Sequence, residues 1–191
     1  GRMSAEAAAA AGERLRAAMG VSALSTAIFA NSPYREGEDR GFASLRSDNW
    51  TDVDNARCGL LPFVFDGEFA YERYAQWAMM VPMFFVRRAD EYVPIHLPFA
   101  EYMRTGFVDE AGVEHRATRG DWEMHLSTLF PEIRLKPYIE VRGSDSVSSR
   151  FLCALPALWK GVLYDEDAGA AAWDLVRGLS FAERQALWAE C

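Results

Sequence analysis

The chain has 191 residues, half of them apolar and a quarter charged, and this composition excludes an intrinsically disordered protein. Its 28 acidic and 20 basic residues give a formal net charge of −8, which argues against a nucleic-acid or membrane partner because anionic surfaces recruit Lys and Arg. The three cysteines, Cys58, Cys153 and Cys191, are far apart, so we expect neither a zinc site nor a disulfide framework, and a reducing, cytoplasmic compartment. No run of about 18 apolar residues occurs, so we expect no membrane span.

The first third of the sequence predicts two helices followed by a long polar loop. Ser4 is a good N-cap for a helix that runs to Met19, and Gly20 is a natural stop. A helical spacing of apolar residues then continues up to Pro33. Residues 34–59 are polar and contain no long apolar stripe, so they are predicted to form a loop, and loops of this length are usually functional.

A concentration of charged residues lies inside that loop. Residues 44–57 contain two arginines, three aspartates and one tryptophan. In the functional interpretation, Arg46 or Arg57 holds a carboxylate of a ligand, because a guanidinium group binds carboxylates in a bidentate way. The alternative is a turn that is salt-bridged internally. The segment lacks the Gly and the terminal Glu of a calcium-binding EF-hand loop.

The middle of the chain predicts a mixture of strands and helices. In order, these are a strand over residues 60–65, a helix from Ala70 to Val81, a hairpin over 83–88 and 91–97, a surface loop over 106–120 and a helix over 122–130. Asp121 is the expected cap of the last helix. The histidines His96, His115 and His125 are scattered, and each is expected to be a surface or loop residue rather than a catalytic base.

The clearest strand covers residues 133–142, where apolar and polar side chains alternate with a period of two. The polar face carries Arg134, Lys136, Tyr138, Glu140 and Arg142. Residues two apart on a strand project to the same side, about 6–7 Å apart, so Glu140 could ligate a hard cation such as Mg²⁺ while Arg142 holds a phosphate or carboxylate. The alternative is a solvated strand face with cross-strand ion pairs.

Helices complete the C-terminal part. They are predicted over residues 150–164, 168–177 and 181–189, the last opened by a capping box of Ser180 and Glu183. The sequence therefore predicts an α+β fold with a few antiparallel strands. The motifs GxxxxGK[ST], GxGxxG, HExxH and GxSxG do not occur, so the two arginine-containing segments are the best candidates for chemistry.

Nine short blocks, in order along almost the whole chain from Ser4, resemble the plant and proteobacterial type of glutamate–cysteine ligase. The blocks are Ala30–Pro33, Ser44–Ser47 with Trp50–Asp52, Leu61–Asp66, Val81–Met83, Asp121–Glu123 with His125–Leu126, Phe130–Leu135, Tyr138–Arg142, Leu152–Ala157 and Leu163–Glu166. No single block is decisive, but their joint occurrence in this order is not expected by chance.

The resemblance implies a ligase of glutathione biosynthesis that uses MgATP to phosphorylate the γ-carboxylate of glutamate, after which the cysteine amine displaces phosphate from γ-glutamyl phosphate. It implies the fold of carboxylate–amine ligases related to glutamine synthetase, a curved, mainly antiparallel sheet with helices outside. It also implies metal binding by Glu140, contact of Arg142 with phosphate or the γ-carboxylate, and a catalytic and glutamate-holding role for Arg46. Further substrate contacts are expected at Arg57, Asn31, Trp77 and Met83, the last two in a block suited to a cysteine pocket.

Members of the family that this chain resembles are more than twice its length. Residues 1–191 are therefore interpreted as the C-terminal portion of one catalytic domain whose N-terminal half is absent. A homodimer or a companion N-terminal half is therefore a possible partner, beside the small-molecule substrates glutamate, cysteine and ATP. Two other hypotheses stay open. One is a related ligase that joins glutamate to a different amine, and the other is a non-catalytic fragment that binds a small anion or a partner chain.

Overall fold

The computed structural model describes residues 4–67 and 71–190, so Ala70 and Cys191 of the sequence analysis lie outside the described residues. The chain divides into a first unit, residues 1–70 with 131–191, and a second unit, residues 71–130. The described residues combine helices with short strands that pair two by two, which confirms the predicted α+β class. Within them, no helix is both long and apolar enough to cross a membrane.

The first unit begins with the two predicted helices, α1 (Ala5–Gly20) and α2 (Ser22–Ile28). Ser4 caps α1, because its hydroxyl accepts the backbone N–H of Ala7. The next elements are β1 (Tyr34–Arg35), β2 (Glu38–Asp39), α3 (Leu45–Thr51) and β3 (Cys58–Gly59).

The prediction of one long loop over residues 34–59 is therefore wrong. Strands β1 and β2 form a hairpin that turns at Glu36 and Gly37, both with positive φ. Helix α3 has no apolar stripe to reveal it, since its buried residue is Ser47. The strand predicted over residues 60–65 is also wrong, because Pro62–Val64 forms a turn of 3₁₀ helix.

The second unit contains α4 (Tyr71–Met80), β4 (Phe85–Arg88), β5 (Glu91–Pro94), α5 (Phe99–Thr105), β6 (Phe107–Val108), β7 (Glu114–His115) and α6 (Arg119–Ser127). The predicted helix before Pro82 and the hairpin of β4 and β5 are confirmed. The predicted loop over residues 106–120 instead contains the hairpin of β6 and β7. Thr118, not Asp121, is the N-cap of α6, and Asp121 completes its capping box.

Two of the three histidines are interior residues, which corrects the surface positions expected for them. His115 stacks on Phe107 and its Nε2 lies 2.8 Å from Oδ2 of Asp109. His125 is 1% exposed, and its Nε2 lies 2.7 Å from the carbonyl oxygen of Ala78. The positions of both side chains are explained by packing and hydrogen bonding within the second unit.

The chain then returns to the first unit through β8 (Phe130–Pro131), β9 (Ile133–Leu135) and β10 (Ile139–Val141), followed by α7 (Ala154–Tyr164), α8 (Glu166–Val176) and α9 (Phe181–Ala189). The three C-terminal helices are confirmed, including the capping box of Ser180 and Glu183. The first begins later than predicted, after a separate 3₁₀ turn at Ser149–Phe151. Helix α1 contacts α7 and α8, and α9 contacts α2 and α3.

The single strand predicted over residues 133–142 is in fact the hairpin of β9 and β10. The two strands are antiparallel, with Ile133 opposite Val141, Arg134 opposite Glu140 and Leu135 opposite Ile139. Pro137 has no N–H to donate to a ladder, and the turn closes through the N–H of Lys136, which donates to the carbonyl of Tyr138 at 2.8 Å. Because opposite residues of a hairpin share a face, the polar set predicted by alternation still lies on one side.

Candidate active site

The hairpin of β9 and β10 presents a carboxylate between two guanidinium groups. Nε of Arg134 donates to Oε2 of Glu140 at 2.5 Å, and Nη1 of Arg142 lies 3.4 Å from the same oxygen. The hydrogen bond from Arg134 holds the pKa of Glu140 below its ordinary value, with the nearby charges of Arg134 and Arg142 acting in the same direction. The cross-strand ion pair considered as the alternative interpretation is therefore present, and Glu140 is held ionised beside Arg142.

Helix α3 carries Arg46 to the same place. Ser44 caps the helix by accepting the N–H of Ser47 at 3.1 Å, and Arg46 follows in the first turn. The guanidinium of Arg46 donates to the carbonyl of Gly143 at 2.7 Å and to that of Arg142 at 2.5 Å. Residues that are 96 positions apart in the sequence thus meet.

Trp50, one turn further along α3, completes this arrangement. The guanidinium carbons of Arg46 and Arg142 lie 5.6 Å and 5.7 Å from the centre of its ring. Both distances are within the range of cation–π attraction, so the indole holds the two positive groups near each other. We refer to Arg46 and Arg142 as the arginine pair. The two charged segments of the sequence analysis are therefore parts of one site.

Two ion pairs and a shared aromatic ring join the guanidinium groups of this site. Arg134 and Arg142 both pair with Oε2 of Glu140, and Arg46 shares the ring of Trp50 with Arg142. The Arg142 side chain is 20% exposed and that of Glu140 is 26% exposed, so both are within reach of a ligand. Partly exposed guanidinium groups near an aromatic face are suited to binding a carboxylate or phosphate.

A buried carboxylate, Asp145, fixes the backbone next to the arginine pair. Its Oδ2 accepts the backbone N–H of Asn31 and the hydroxyl of Ser32, both at 2.7 Å, and its Oδ1 accepts the hydroxyl of Ser44 at 2.8 Å. The side chain of Asn31 also donates to the carbonyl of Ser146 at 3.0 Å. Asn31 therefore lies against the loop that follows Arg142. Contact of Asn31 with a substrate stays a prediction.

Arg57 lies buried after α3 and pairs with Asp54, its Nε 2.6 Å from Oδ2. This is the internally salt-bridged turn considered as the alternative for that segment. Burial raises the pKa of the Cys58 thiol, which is also within electrostatic range of Asp54, Arg57 and Arg142. Arg57 therefore lies close to the site, and its contact with substrate stays a prediction.

The two residues suggested for a cysteine pocket belong to the second unit. Met83 is 1% exposed and packs with Val86 and Tyr102, among others. Trp77 is half-buried against a separate cluster around Ala78. Both side chains have packing roles in this unit, and a role in binding cysteine stays a prediction.

Sequence reasoning missed three residues that shape the site. Arg134 shares the polar face with Glu140, and the period of two was the signal that could have singled it out. Trp50 lay inside the charged segment, but nothing in its spacing indicated that two arginines would lie near its ring. Asp145 had no local signal at all, because its partners are more than 100 positions away.

The described residues supply only part of a binding site for Mg²⁺. No group of three or more His, Cys, Asp or Glu side chains in residues 4–67 and 71–190 is arranged to hold a metal. Glu140 supplies one hard carboxylate, and both of its ion pairs use Oε2. Mg²⁺ is commonly held by one or two carboxylates together with substrate phosphates and water, so Glu140 fits one position in such a set.

Comparison with known protein families shows to which family this chain belongs. The family model described as glutamate-cysteine ligase family 2 (GCS2) matches residues 4–191. The chain belongs to this family. The match includes every residue of the arginine pair, its tryptophan and its carboxylates, and it confirms the resemblance found from the sequence.

Curated members of the glutamate–cysteine ligase family are similar over 175 residues. The chain is 46% identical to glutamate–cysteine ligase B, chloroplastic, of Oryza sativa subsp. japonica, with 91% of this chain and 35% of that protein covered. It is 44% identical to the chloroplastic enzymes of Nicotiana tabacum and Arabidopsis thaliana, with 91% of this chain and 33% of each of those proteins covered. The chain thus spans about a third of the length of these relatives.

The names of these ligases also correct the expected compartment. The relatives from rice, tobacco and Arabidopsis are all described as chloroplastic. The cytoplasmic location predicted from widely spaced cysteines is therefore wrong. Cysteine spacing reports whether disulfides are expected, and it carries no signal that separates one reducing compartment from another.

Proposed function

We propose that this chain supplies part of the active site of an ATP-dependent glutamate–cysteine ligase. The reaction joins the γ-carboxylate of L-glutamate to the amine of L-cysteine through γ-glutamyl phosphate, the first step of glutathione biosynthesis. Family membership and the names of the relatives support this reaction. The single structural observation that carries it is the convergence of Arg46 and Arg142 on Trp50, beside the carboxylate of Glu140.

The arginine pair is suited to bind and neutralise the anionic groups of this reaction. Phosphorylation of a carboxylate gathers negative charge at the reacting oxygens, and preorganised guanidinium groups stabilise that charge most strongly where water is excluded. Arg46 has two N–H groups committed to the carbonyls of residues 142 and 143, which fixes its orientation. We assign glutamate binding to Arg46 and contact with phosphate or the γ-carboxylate to Arg142.

Glu140 is the residue that would hold Mg²⁺, because it is an ionised and partly exposed carboxylate beside Arg142. When bound, the metal would supply charge neutralisation for the phosphates of ATP. Glu140 also pairs with Arg134 and Arg142, and so it orients these guanidinium groups. Asn31 and Arg57 are proposed as additional substrate-binding residues, and Trp77 with Met83 as part of the cysteine pocket.

The finer architecture is part of the same proposal. We infer that residues 1–191 are the C-terminal portion of one catalytic domain with a curved antiparallel sheet, in the manner of glutamine-synthetase-related ligases. The hairpin of β9 and β10 would be one section of this sheet, with its charged face toward the substrates. The rest of the domain would correspond to the remaining two thirds of the length of the relatives, and the proposed partner is a second copy of the protein or a companion N-terminal half.

The test is an amine panel with the protein from the complete open reading frame that encodes this chain. Phosphate release is measured with ATP, Mg²⁺ and L-glutamate while L-cysteine is exchanged for glycine, L-alanine, L-serine or ammonia. We expect release that requires glutamate and is fastest with cysteine. Equal turnover with another amine would favour the related ligase, and no glutamate-dependent release would favour a non-catalytic role.

A further inference from the structure

A second glutamate, Glu132, lies buried just before β9 and is not explained by the site described so far. Its side chain is 4% exposed, and its Oε2 has no hydrogen-bond partner. Burial raises the pKa of Glu132, and the charges of Arg46 and Arg142 oppose this shift. A buried carboxylate oxygen without a donor costs about 1–3 kcal/mol or more, so its presence calls for a compensating role.

The position of this carboxylate is set by close contacts on two sides. The side chain of Trp188, near the end of α9, donates a hydrogen bond to it. On the other side, a Cβ atom added at Gly143 would lie 2.5 Å from Oε2 of Glu132 and 3.0 Å from Oγ1 of Thr26. Gly143 has no positive φ, so glycine is required here by space and not by backbone conformation.

The backbone of Glu132 is tied to both sides of the site. Its carbonyl accepts the N–H of Arg142 at 3.1 Å, and its N–H donates to the carbonyl of Gly59 at 3.0 Å. Gly143, which lies against its carboxylate, is also the residue whose carbonyl accepts a hydrogen bond from Arg46. The carboxylate, the Gly143 backbone and the arginine pair are thus in mutual contact or electrostatic range.

Helix α9 connects to the arginine pair by a second route. The hydroxyl of Ser47 donates to the carbonyl of Trp188 at 3.4 Å. Ser47 is the neighbour of Arg46 on α3, so Trp188 contacts the helix that carries Arg46. Trp188 also contacts the carboxylate of Glu132, which lies within electrostatic range of Arg142. The end of α9 therefore joins the two elements that form the site.

We propose that Glu132, held by Trp188 and packed against Gly143, is a positioning residue that sets the arginine pair for anion binding. The proposal rests on the proposed function and deepens it, because it makes α9 part of the glutamate-binding apparatus. Two guanidinium groups that share one tryptophan ring repel each other, and the ionised form of Glu132, which the charges of Arg46 and Arg142 favour, opposes this repulsion without occupying the exposed side of either group. Glu132 itself touches no substrate.

The test compares Glu132→Gln and Trp188→Phe with the exposed α9 control Gln185→Ala, each made in the complete open reading frame. We expect both site variants to raise KM for L-glutamate about tenfold, while KM for L-cysteine stays within about twofold. A variant that merely unfolds some of the protein lowers apparent kcat and leaves both KM values unchanged. Gln185→Ala should match the wild type in all three parameters.

A double-mutant cycle with Arg142→Lys shows whether Glu132 acts through the arginine pair. If it does, Glu132→Gln should change KM for glutamate less than threefold in the Arg142→Lys background, because the planar guanidinium group that Glu132 positions is absent there. Full additivity, or a KM for glutamate within twofold of wild type in both single variants, overturns the proposal. If Glu132→Gln does not fold, Gly143→Ala replaces it, since its added methyl displaces the same carboxylate.

The result for the wild-type protein distinguishes failure of this inference from failure of the proposed function. If wild-type protein releases no phosphate, the proposed function fails, and the dissociation constant of L-glutamate measured by calorimetry takes the place of KM. A wild type that turns over normally beside unaltered variants overturns only the positioning role. A wild type that neither turns over nor binds glutamate overturns both.

Discussion

Two arginine–carboxylate networks, one in each unit, use the same chemical groups in opposite ways. In the second unit, Arg88 donates to both oxygens of Asp121, at 2.6 Å and 2.9 Å, and to the hydroxyl of Tyr102 at 2.7 Å. Asp121 is 3% exposed and also accepts the N–H of Thr118 in the capping box of α6. In the first unit, Glu140 is 26% exposed and is shared between Arg134 and Arg142.

The difference lies in geometry and access. The network of Arg88 pairs one guanidinium with one buried carboxylate, and its geometry is bidentate, which is the arrangement that fixes structure. At the site of the arginine pair, one oxygen of Glu140 is shared between two guanidinium groups, and Glu140 and Arg142 are partly open to solvent. Breaking a closed pair is costly because it leaves a buried charge without its partner, whereas accessible guanidinium groups can also contact an anionic ligand. Variants of the two networks should therefore differ in what they damage.

The largest expected effect is on stability, from Asp121→Ala in the closed network. The change removes the carboxylate that pairs with Arg88 and accepts from Tyr102, and it removes part of the α6 cap, so the free energy of unfolding should fall by about 3–5 kcal/mol. Chemical denaturation measures this loss. The control is Glu123→Ala on the same helix, whose ion pair with Arg119 is exposed and should contribute less than about 1 kcal/mol. Equal effects of the two variants would show that the network is not a structural element.

The next effect is on activity, from Arg142→Lys in the open network. An ammonium group cannot reproduce a planar bidentate contact, so kcat/KM should fall about 100-fold, which corresponds to about 2.7 kcal/mol. Thermal unfolding should change little, because the side chain is partly exposed. Arg40→Lys, at an exposed arginine of the same unit, is the matched control. Retention of a third or more of wild-type kcat/KM would count against a role of Arg142 in catalysis.

A smaller loss of activity is expected from Glu140→Gln. The amide keeps the shape but removes the charge that a hard cation needs, so most phosphate release should disappear, about tenfold or more, while the protein still folds. Raising the Mg²⁺ concentration should restore part of the rate. Glu38→Gln, at an exposed glutamate of the β1–β2 hairpin, should behave as wild type. Near-normal turnover of Glu140→Gln would refute the metal role.

The smallest effect is a pH dependence of stability that belongs to the closed network. Burial acts to raise the pKa of Asp121, but hydrogen bonds from Arg88 and Thr118 outweigh it and hold the pKa below its ordinary value. A carboxylate with a lowered folded pKa contributes stability above the unfolded pKa of about 4 and loses it as the pH falls through the folded pKa. The difference in Tm between wild type and Asp121→Asn should therefore shrink from about pH 5 downward. A constant difference across this range would falsify the assignment.

Much of the fold was predictable because local signals determine it. The helices α1, α4 and α9 follow from caps, apolar spacing and stop residues, and all three occur where these signals place them. The hairpin of β4 and β5 follows from two strand-like segments around a polar turn. Prediction failed at α3 and at the hairpin of β1 and β2, where short elements with polar or exposed residues show no apolar periodicity.

The candidate site was predictable only in its parts. The alternation of residues 133–142 placed Glu140 and Arg142 on one face, and the face remained correct although the strand became a hairpin, because opposite residues project to the same side. Arg46 and Arg57 were selected by the concentration of charge around them. The internal salt bridge of Arg57 with Asp54 was one of the two interpretations of that segment, but nothing local showed that Arg46 joins Arg142.

The sequence by itself determined the α+β class, the family and the charged residues that carry the proposed chemistry, since these depend on composition, periodicity and short motifs. Only the tertiary structure decided that Arg46 and Arg142 lie near one tryptophan ring and that Glu132 lies buried beside them. The contact of Arg46 with Arg142 joins residues that are 96 positions apart. Pairing over such distances depends on how the whole unit packs, and no spacing within a short stretch of sequence encodes it.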